Sequence, residues 1–338
     1  MVIISDCLTE KIDEGCLKVA NSLSKRLQEQ AAATIISFNR KPNYSDVHLK
    51  LNKLFLNLSL WRIIRKYSEE VLYIPFASNT LASAARTFVL SLFSPKRTSV
   101  LFVMRFPMSK MTKLLLKLSR ARIVALSKES YDFYIEQIGQ QVIYLKTGID
   151  TSRFHPVCEE EKEQLKKKYG IPLDEQVVLH VGHLKAGRNV DKLAGIDKQY
   201  HVITVVSSVT EAEKDASIRT LLKSRASTTL IEDYIPNIEE IYQMADVYVF
   251  PVEKPLNCID VPLSVLEAAA CNVPVVTTRY GELKNFEGKD GFLFVDTVSE
   301  MSLNSAIKEV IKTKKYDVRG AVMDYDWAYS IEKLTALE

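Results

Sequence analysis

Along this chain, short apolar runs alternate with longer stretches in which apolar residues recur every three or four positions. A short apolar run bounded by turn residues reads as a buried strand, and apolar residues at i, i+3, i+4 and i+7 read as one face of a helix. In the first half the pattern predicts strands at 2–5, 33–38, 71–76, 99–105, 122–127 and 142–145. It predicts helices from Gly15 to about Gln28 and at 51–67, 80–93, 108–120 and 128–138. The sequence TGIDTSRFHPV at 147–157 interrupts the alternation and marks a domain boundary. A charged helix at 159–169 opens the second half. Strands follow at 177–182, 201–207, 229–231, 247–251, 273–278 and 291–295. Helices are predicted near 190–194, 212–225, 238–244, 263–271, 283–286, 301–312 and 327–337. Strands alternating with helices in both halves predict an α/β protein of two doubly wound, Rossmann-like domains, residues 1–150 and 151–325. The last helix, within 326–338, has no strand left to cover and is a candidate to pack back on the first domain.

Two stretches carry more than fold. The helix at 108–120 has Met111, Leu114, Leu115 and Leu118 on one side and Lys110, Lys113, Lys117 and Arg120 on the other. Its ordinary reading is an amphipathic cover on a sheet, and its other reading is a helix lying on a membrane surface. The stretch CIDVPLSVLEAAACNVPVV at 258–276 reads as a helix start, a short helix and a buried strand. Asp260 is placed to cap, Pro262 is tolerated in a first turn, and Asn272 suits a left-handed end. The free N–H groups at such a helix start suit an anion. Glu267 lies inside this apolar helix, where an unpaired carboxylate is costly, so a specific partner is expected.

Composition narrows the class. The chain has 338 residues, 47% of them hydrophobic, which suits two filled cores. No uncharged apolar run reaches membrane-spanning length, and the nearest candidate, 87–104, is broken at 94–97. Met1 leads directly into Val2-Ile3-Ile4 without basic residues, so no signal peptide is expected. Five cysteines without a CxxC suit a reducing, cytoplasmic setting, and the five histidines show no ligand spacing. The net charge of +3 hides an asymmetry. Residues 1–155 hold 23 Lys and Arg against 12 Asp and Glu, while residues 156–338 hold 22 against 30. A basic half suits anionic lipid headgroups or phosphate-bearing substrates, and drift of surface charge is the plainer reading.

Several stretches, in order, resemble one family. Asp13-Glu14-Gly15 before a helix is similar to its N-terminal glycine loop. VALSKES and TGIDTSRFHP look like its last N-domain strand and its linker. HVGHLKAGRN, YIPNIEEIYQMADVYVFP and DVPLSVLEAAACNVPVV resemble its donor-domain loop, base-binding segment and signature helix. The chain thus resembles the GT-B fold glycosyltransferases, and among them the retaining family 4 enzymes, the glycosyl transferases group 1. The resemblance implies two Rossmann-like domains facing a cleft.

It also implies roles. Arg and Lys positions that hold the donor diphosphate fall on His183 and Arg188, with Gly182 and Lys185 beside them. Tyr234 and Ile235 fall in the base-binding segment, and the N–H groups of Leu263 and Ser264 on the phosphate cradle. Glu267 matches the glutamate that binds ribose hydroxyls. The companion glutamate falls at Ile259, with Asp260 one position on as a substitute or a plain cap. Arg188, Glu267 and Asp260 are the candidate catalytic residues. Gly15, Arg105 and Ser127, at the C-terminal ends of strands, are candidates for the acceptor side, each with an equally good structural reading. A histidine common after the fourth strand is replaced by Arg105-Phe106-Pro107.

The expected function is metal-independent, retaining transfer of a sugar from a UDP- or GDP-sugar to a glycan, lipid-linked or other hydroxyl acceptor. No cofactor, metal or nucleic-acid partner is expected, and peripheral membrane contact through the basic half is. The alternatives are a catalytically weak nucleotide-sugar-binding subunit and a nucleotide-sugar epimerase.

Overall fold

The structure, a computed structural model, describes residues 1–338 except 13, 68–69, 95, 140, 208–214, 314 and 336–338. Asp13, the first residues of the helix expected at 212–225 and the tip of the last helix therefore lie outside the described residues. The chain divides into two compact units. The first comprises residues 1–148, 259–261 and 327–338, and the second comprises 149–258 and 262–326. Ile259–Val261, which the sequence reading assigns to the second domain, thus belong to the first unit.

The first unit holds a seven-stranded parallel sheet. Its strands are β1 (Val2–Ser5), β2 (Thr34–Ser37), β3 (Val47–His48), β4 (Glu70–Ile74), β5 (Arg97–Phe102), β6 (Arg122–Ala125) and β7 (Val142–Tyr144), in the order β3-β2-β1-β4-β5-β6-β7. Its helices are α1 (Gly15–Ala31), α2 (Leu58–Tyr67), α3 (Leu81–Phe93), α4 (Lys110–Ser119) and α5 (Lys128–Ile138). β1 and β6 are buried along their whole length, which is why they read as continuous apolar runs rather than alternating ones. Val2, Ile4, Ile36, Tyr73, Val100, Phe102 and Ile123 meet in one core. Hydroxyls set three helix starts: Thr80 accepts from the Ser83 amide, Ser109 from Thr112 and Ser127 from Ser130.

The second unit holds α6 (Glu159–Lys168) and a six-stranded parallel sheet. Its strands are β8 (Gln176–Gly182), β9 (Tyr200–Val206), β10 (Thr228–Ile231), β11 (Val247–Phe250), β12 (Val275–Thr277) and β13 (Phe292–Phe294), ordered β10-β9-β8-β11-β12-β13. With it are α7 (Ala216–Lys223), α8 (Ile238–Gln243), α9 (Leu263–Ala270) and α10 (Glu300–Lys312). The segments expected as helices near 190–194 and 283–286 are 3-10 turns, Val190–Gly195 and Gly281–Phe286. Val178, Val202, Val249, Val276, Leu303 and Ile307 share its core.

In both sheets the order reverses beside the first strand, between β1 and β4 and between β8 and β11. Such switch points open a crevice at the C-terminal strand ends, where α/β folds bind ligands. The final helix, α11 (Trp327–Thr335), packs in the first unit against α1. Buried Trp327 lies so close to Gly148 that a Cβ there would meet its ring at 2.6 Å, so only glycine fits.

Two further expectations change. The helix expected at 51–67 begins only at Leu58. The Asn52 side chain ties up the Leu54 and Leu56 amides and the Leu56 carbonyl, Phe55 takes a φ of 62°, and the Asn57 side chain then accepts from Leu60 to start the helix. A short strand that the sequence reading does not predict, β3, precedes this segment. On α4 the buried residues are Thr112, Leu116 and Ser119, and of the expected stripe only Leu115 packs on the core, whereas Met111, Leu114 and Leu118 are exposed. Among the described residues no helix is long and apolar enough to cross a membrane.

Candidate functional site

In the second unit the chain leaves β8 at Gly182, passes His183 and Lys185 and makes a 3-10 turn, Ala186–Arg188. Arg188 donates its Nε to the Asn257 carbonyl at 2.8 Å. Asn189, at a φ of 56°, donates to the Pro251 carbonyl at 2.9 Å. These two bonds tie the loop after β8 to the segment after β11, across the switch point. Gly182 is required by space: a Cβ would stand 2.9 Å from His180 Nε2 and 3.1 Å from Arg188 Nη1. A Cβ on Gly187 would likewise stand 2.7 Å from Asn257 Oδ1.

His180, inside β8, and His183, just after it, are both held neutral at neutral pH. His180 Nδ1 lies 2.8 Å from the Val249 carbonyl, which can only accept, so Nδ1 carries the proton. Its Nε2 is then an acceptor, buried and without a hydrogen-bond partner among the described residues. Burial, with Arg188 adding repulsion, lowers His180 to about 4. Burial, then Arg188 and Lys185, lowers His183 to about 3. The cation that the resemblance places at this position is therefore absent from His183 at neutral pH. Arg188 supplies it, and among the described residues no carboxylate pairs with its guanidinium.

α9 starts at Leu263 behind Pro262, and no side chain caps it. The expectation that Asp260 caps this helix is overturned, because its carboxylate is engaged elsewhere. Leu263 and Ser264 contribute first-turn N–H groups that have no intrahelical acceptor. Asn272, at a φ of 60°, ends the helix in the left-handed region. Glu267 is only 3% exposed, and Tyr242 of α8 donates its hydroxyl to Oε2 at 2.8 Å. That is the partner an apolar helix demands of a carboxylate. Tyr234 and Ile235 sit half-buried in the loop between β10 and α8. Arg153 braces that loop through the Pro236 carbonyl and Glu239.

In the first unit Asp260 is a hub. Its Oδ2 accepts from Arg105 Nε at 3.0 Å, from the Ser127 hydroxyl at 2.7 Å and from the Ser130 hydroxyl at 2.7 Å. Its Oδ1 accepts from Arg105 Nη2 at 3.2 Å, and the same nitrogen reaches Glu129 at 2.5 Å. The space beside Asp260, Ser127 and Ile259 is a cavity of about 10 Å³, room for no more than a water. Asp260 and Ser127 therefore hold segment 259–261 to the first unit. Ile259, where the resemblance implies a companion glutamate, is buried, with its Cδ1 3.2 Å from where a Gly15 Cβ would be. Gly15 is small for Ile259.

The structure thus brings Gly182, His183, Lys185 and Arg188 into one loop and joins Arg105, Ser127 and Asp260 in another cluster. Several participants escaped sequence reasoning. His180 was legible as a polar residue inside the apolar run of β8. Tyr242, Asn257, Glu129 and Ser130 carry no local signal, since their partners are distant in sequence. Asp6, after β1, is another: it accepts from the Phe76 amide at 2.6 Å and from Arg86 at 3.2 Å, bridging the first unit's switch point. Burial nonetheless raises its pKa. One Asp-x-Asp occurs, Asp324-Tyr325-Asp326, a pattern often used to hold a metal. Asp326 accepts from the Thr151 amide and hydroxyl, which assigns it to the linker. Among the described residues no three His, Cys, Asp or Glu side chains are grouped to hold a metal ion. A depression of about 720 Å³ in the second unit lies at the opposite, N-terminal strand ends, around Gln176, Asp246 and Pro274.

Comparison with known proteins agrees with this layout. Residues 175–313 match the family model described as Glycosyl transferases group 1. TuaC of Bacillus subtilis (strain 168), provisionally named a teichuronic acid biosynthesis glycosyltransferase, is 27% identical over 170 residues, 48% of this chain and 40% of that protein. Alpha-maltose-1-phosphate synthase of Mycolicibacterium smegmatis is 23% identical over 219 residues, 57% of this chain and 55% of that protein. The matches thus span about half or less of these relatives' length. Among solved structures, a glycosyltransferase from Rickettsia africae ESF-5 aligns over 99% of this chain and 97% of its own, with a TM-score of 0.80 at 13% identity. Anabaena Alr3699/HepE in complex with UDP-glucose aligns over 99% and 98%, with a TM-score of 0.78 at 13% identity. At such identities the likeness speaks for the fold, which is GT-B: two Rossmann-like units, each on a parallel sheet.

Proposed function

From a chain whose residues 175–313 belong with the group 1 glycosyl transferases, we propose a retaining glycosyltransferase that moves a sugar from a nucleoside-diphosphate sugar, UDP- or GDP-linked, to a hydroxyl of a glycan or lipid-linked acceptor. The observation that carries this reading is the Arg188 guanidinium beside Gly182 at the β8–β11 switch point, with its charge unneutralised by any described carboxylate.

Breaking a glycosyl–phosphate bond develops positive charge on the sugar and negative charge on the departing diphosphate. Catalysis therefore needs fixed donors aimed at that diphosphate. Arg188 offers a planar fork for phosphate oxygens, and the first-turn amides of Leu263 and Ser264 offer N–H groups. Lys185 adds charge at the same loop. Glu267, held by Tyr242, suits the ribose hydroxyls, and Tyr234 and Ile235 suit the base. With the diphosphate's charge met by these groups, the reaction proposed is metal-independent. The acceptor hydroxyl attacks from the face the diphosphate leaves, so configuration is kept.

Two observations favour the second reading, a weak nucleotide-sugar-binding subunit. His183 is neutral where the family has a cation, and Ile259 is packed on Gly15 where the family has a carboxylate. Incubation with a panel of UDP- and GDP-sugars and mixed acceptors, with products identified by anomeric configuration, separates the readings. A product of retained configuration supports transfer, and an inverted product overturns the retaining assignment. Tight nucleotide binding without turnover supports the subunit, and a donor altered at one sugar carbon would reveal an epimerase.

A further inference from the structure

The first unit carries a surface that the transferase reading does not use. Residues 71–128 are 58 in number and include ten Lys and Arg but no Asp or Glu. Within them α4 shows an apolar stripe to solvent: Met111 is 54% exposed, Leu114 48% and Leu118 56%. The other side of α4 is the one that packs, through Thr112, Leu116 and Ser119. At 3.6 residues per turn, Lys110, Lys113 and Lys117 line one edge of the exposed stripe. Arg120 follows at the C-cap. On α3, which packs beside α4, Leu92 is 59% exposed, and exposed Lys96 follows it.

We propose that this face docks on an anionic lipid bilayer, with Met111, Leu114 and Leu118 entering the headgroup–acyl boundary and the flanking cations meeting lipid phosphates. A helix of this kind lies in the plane of the interface, and long basic side chains keep their charge at headgroup level while their stems stay apolar. The charge pattern selects the occupant. A protein partner of ordinary composition presents both signs, whereas an anionic leaflet is one extended negative surface and rewards a helix such as α4, on which every charged side chain is a cation. The proposal is independent of the transferase reading and holds whatever the second unit binds.

The test is sedimentation of the full chain with two kinds of vesicle, phosphatidylcholine alone and an equimolar mixture with phosphatidylglycerol. Binding to the mixed vesicles, weakened by salt, and none to phosphatidylcholine is expected. The triple variant Met111→Ser/Leu114→Ser/Leu118→Ser and the triple variant Lys110→Gln/Lys117→Gln/Arg120→Gln should each lose about tenfold or more in affinity. All six side chains are exposed, so melting temperatures should match the wild type. No binding of the wild type to mixed vesicles overturns the proposal, as does binding by the apolar variant at wild-type affinity. An apolar variant that turns a dimer into a monomer without changing vesicle binding overturns it too, and assigns the stripe to a second copy of the chain.

Discussion

Arg105 and Arg188 both follow a central strand of a parallel sheet, at the end where ligands bind, and they are used in opposite ways. Arg105 is consumed by the protein: Asp260 takes it in a two-point pair and Glu129 takes it again. Arg188 donates to one backbone carbonyl, and no described carboxylate answers its charge. A cation met by carboxylates fixes structure, because its charge is already spent. A cation met only by a carbonyl keeps most of its charge for an anion that arrives from solution. The histidines sharpen the contrast, since those beside Arg188 are held neutral partly by that arginine, and the charge of the loop is left to Arg188 and Lys185.

The comparison is broken most severely if Arg188 proves dispensable. Arg188→Ala should lower the transfer rate by about a hundredfold or more with the fold intact, since one fixed donor to a developing anion is worth that much. Initial rates and a thermal melt check it. Asp260→Ala should act on stability. It leaves two serine hydroxyls without their acceptor and Arg105 with Glu129 only, at a cost of about 2–4 kcal/mol in denaturant unfolding. Its loss of activity should be smaller than that of Glu267→Ala. Gly182→Ala tests geometry, because its Cβ must displace either the His180 ring or the Arg188 guanidinium. A loss of about tenfold in nucleotide affinity is expected, with little change in unfolding.

The smallest effect expected is one of pH. His180 and His183 titrate near 4 and 3, so nucleotide affinity should not show an imidazole step between about pH 6 and 8. Stability behaves differently. Below about 6.5 the unfolded chain takes up protons that the folded chain refuses until pH 3–4, so unfolding free energy should fall across that window on acidification. A step in affinity near 6.5 would show that one of these rings is more accessible than its burial implies.

What was legible in the sequence was what is local. Strands buried on both faces announce themselves as apolar runs, and the start of α9, its left-handed end at Asn272 and the oddness of Glu267 are all short-range facts. The partner of Glu267 was predictable as a need but not as Tyr242, which comes from another helix. Capping is the local explanation of an aspartate before a helix, and for Asp260 that explanation fails. Its actual partners, Arg105, Ser127 and Ser130, lie 130 to 155 residues away. The stripe on α4 has the same periodicity whether it faces a sheet or solvent, so periodicity could not decide between them. At 51–57, helical spacing was present, and Asn52 overrode it by bonding the backbone locally.

The account rests on the charge of Arg188 being reserved for a diphosphate while that of Arg105 is spent within the fold. Calorimetric titration of UDP and GDP into the wild type, Arg188→Ala and Arg105→Ala tests this directly. The account predicts that Arg188→Ala loses about tenfold or more in affinity and that Arg105→Ala stays within about twofold of wild type. Undiminished binding by Arg188→Ala, or an equal loss in Arg105→Ala, would contradict it.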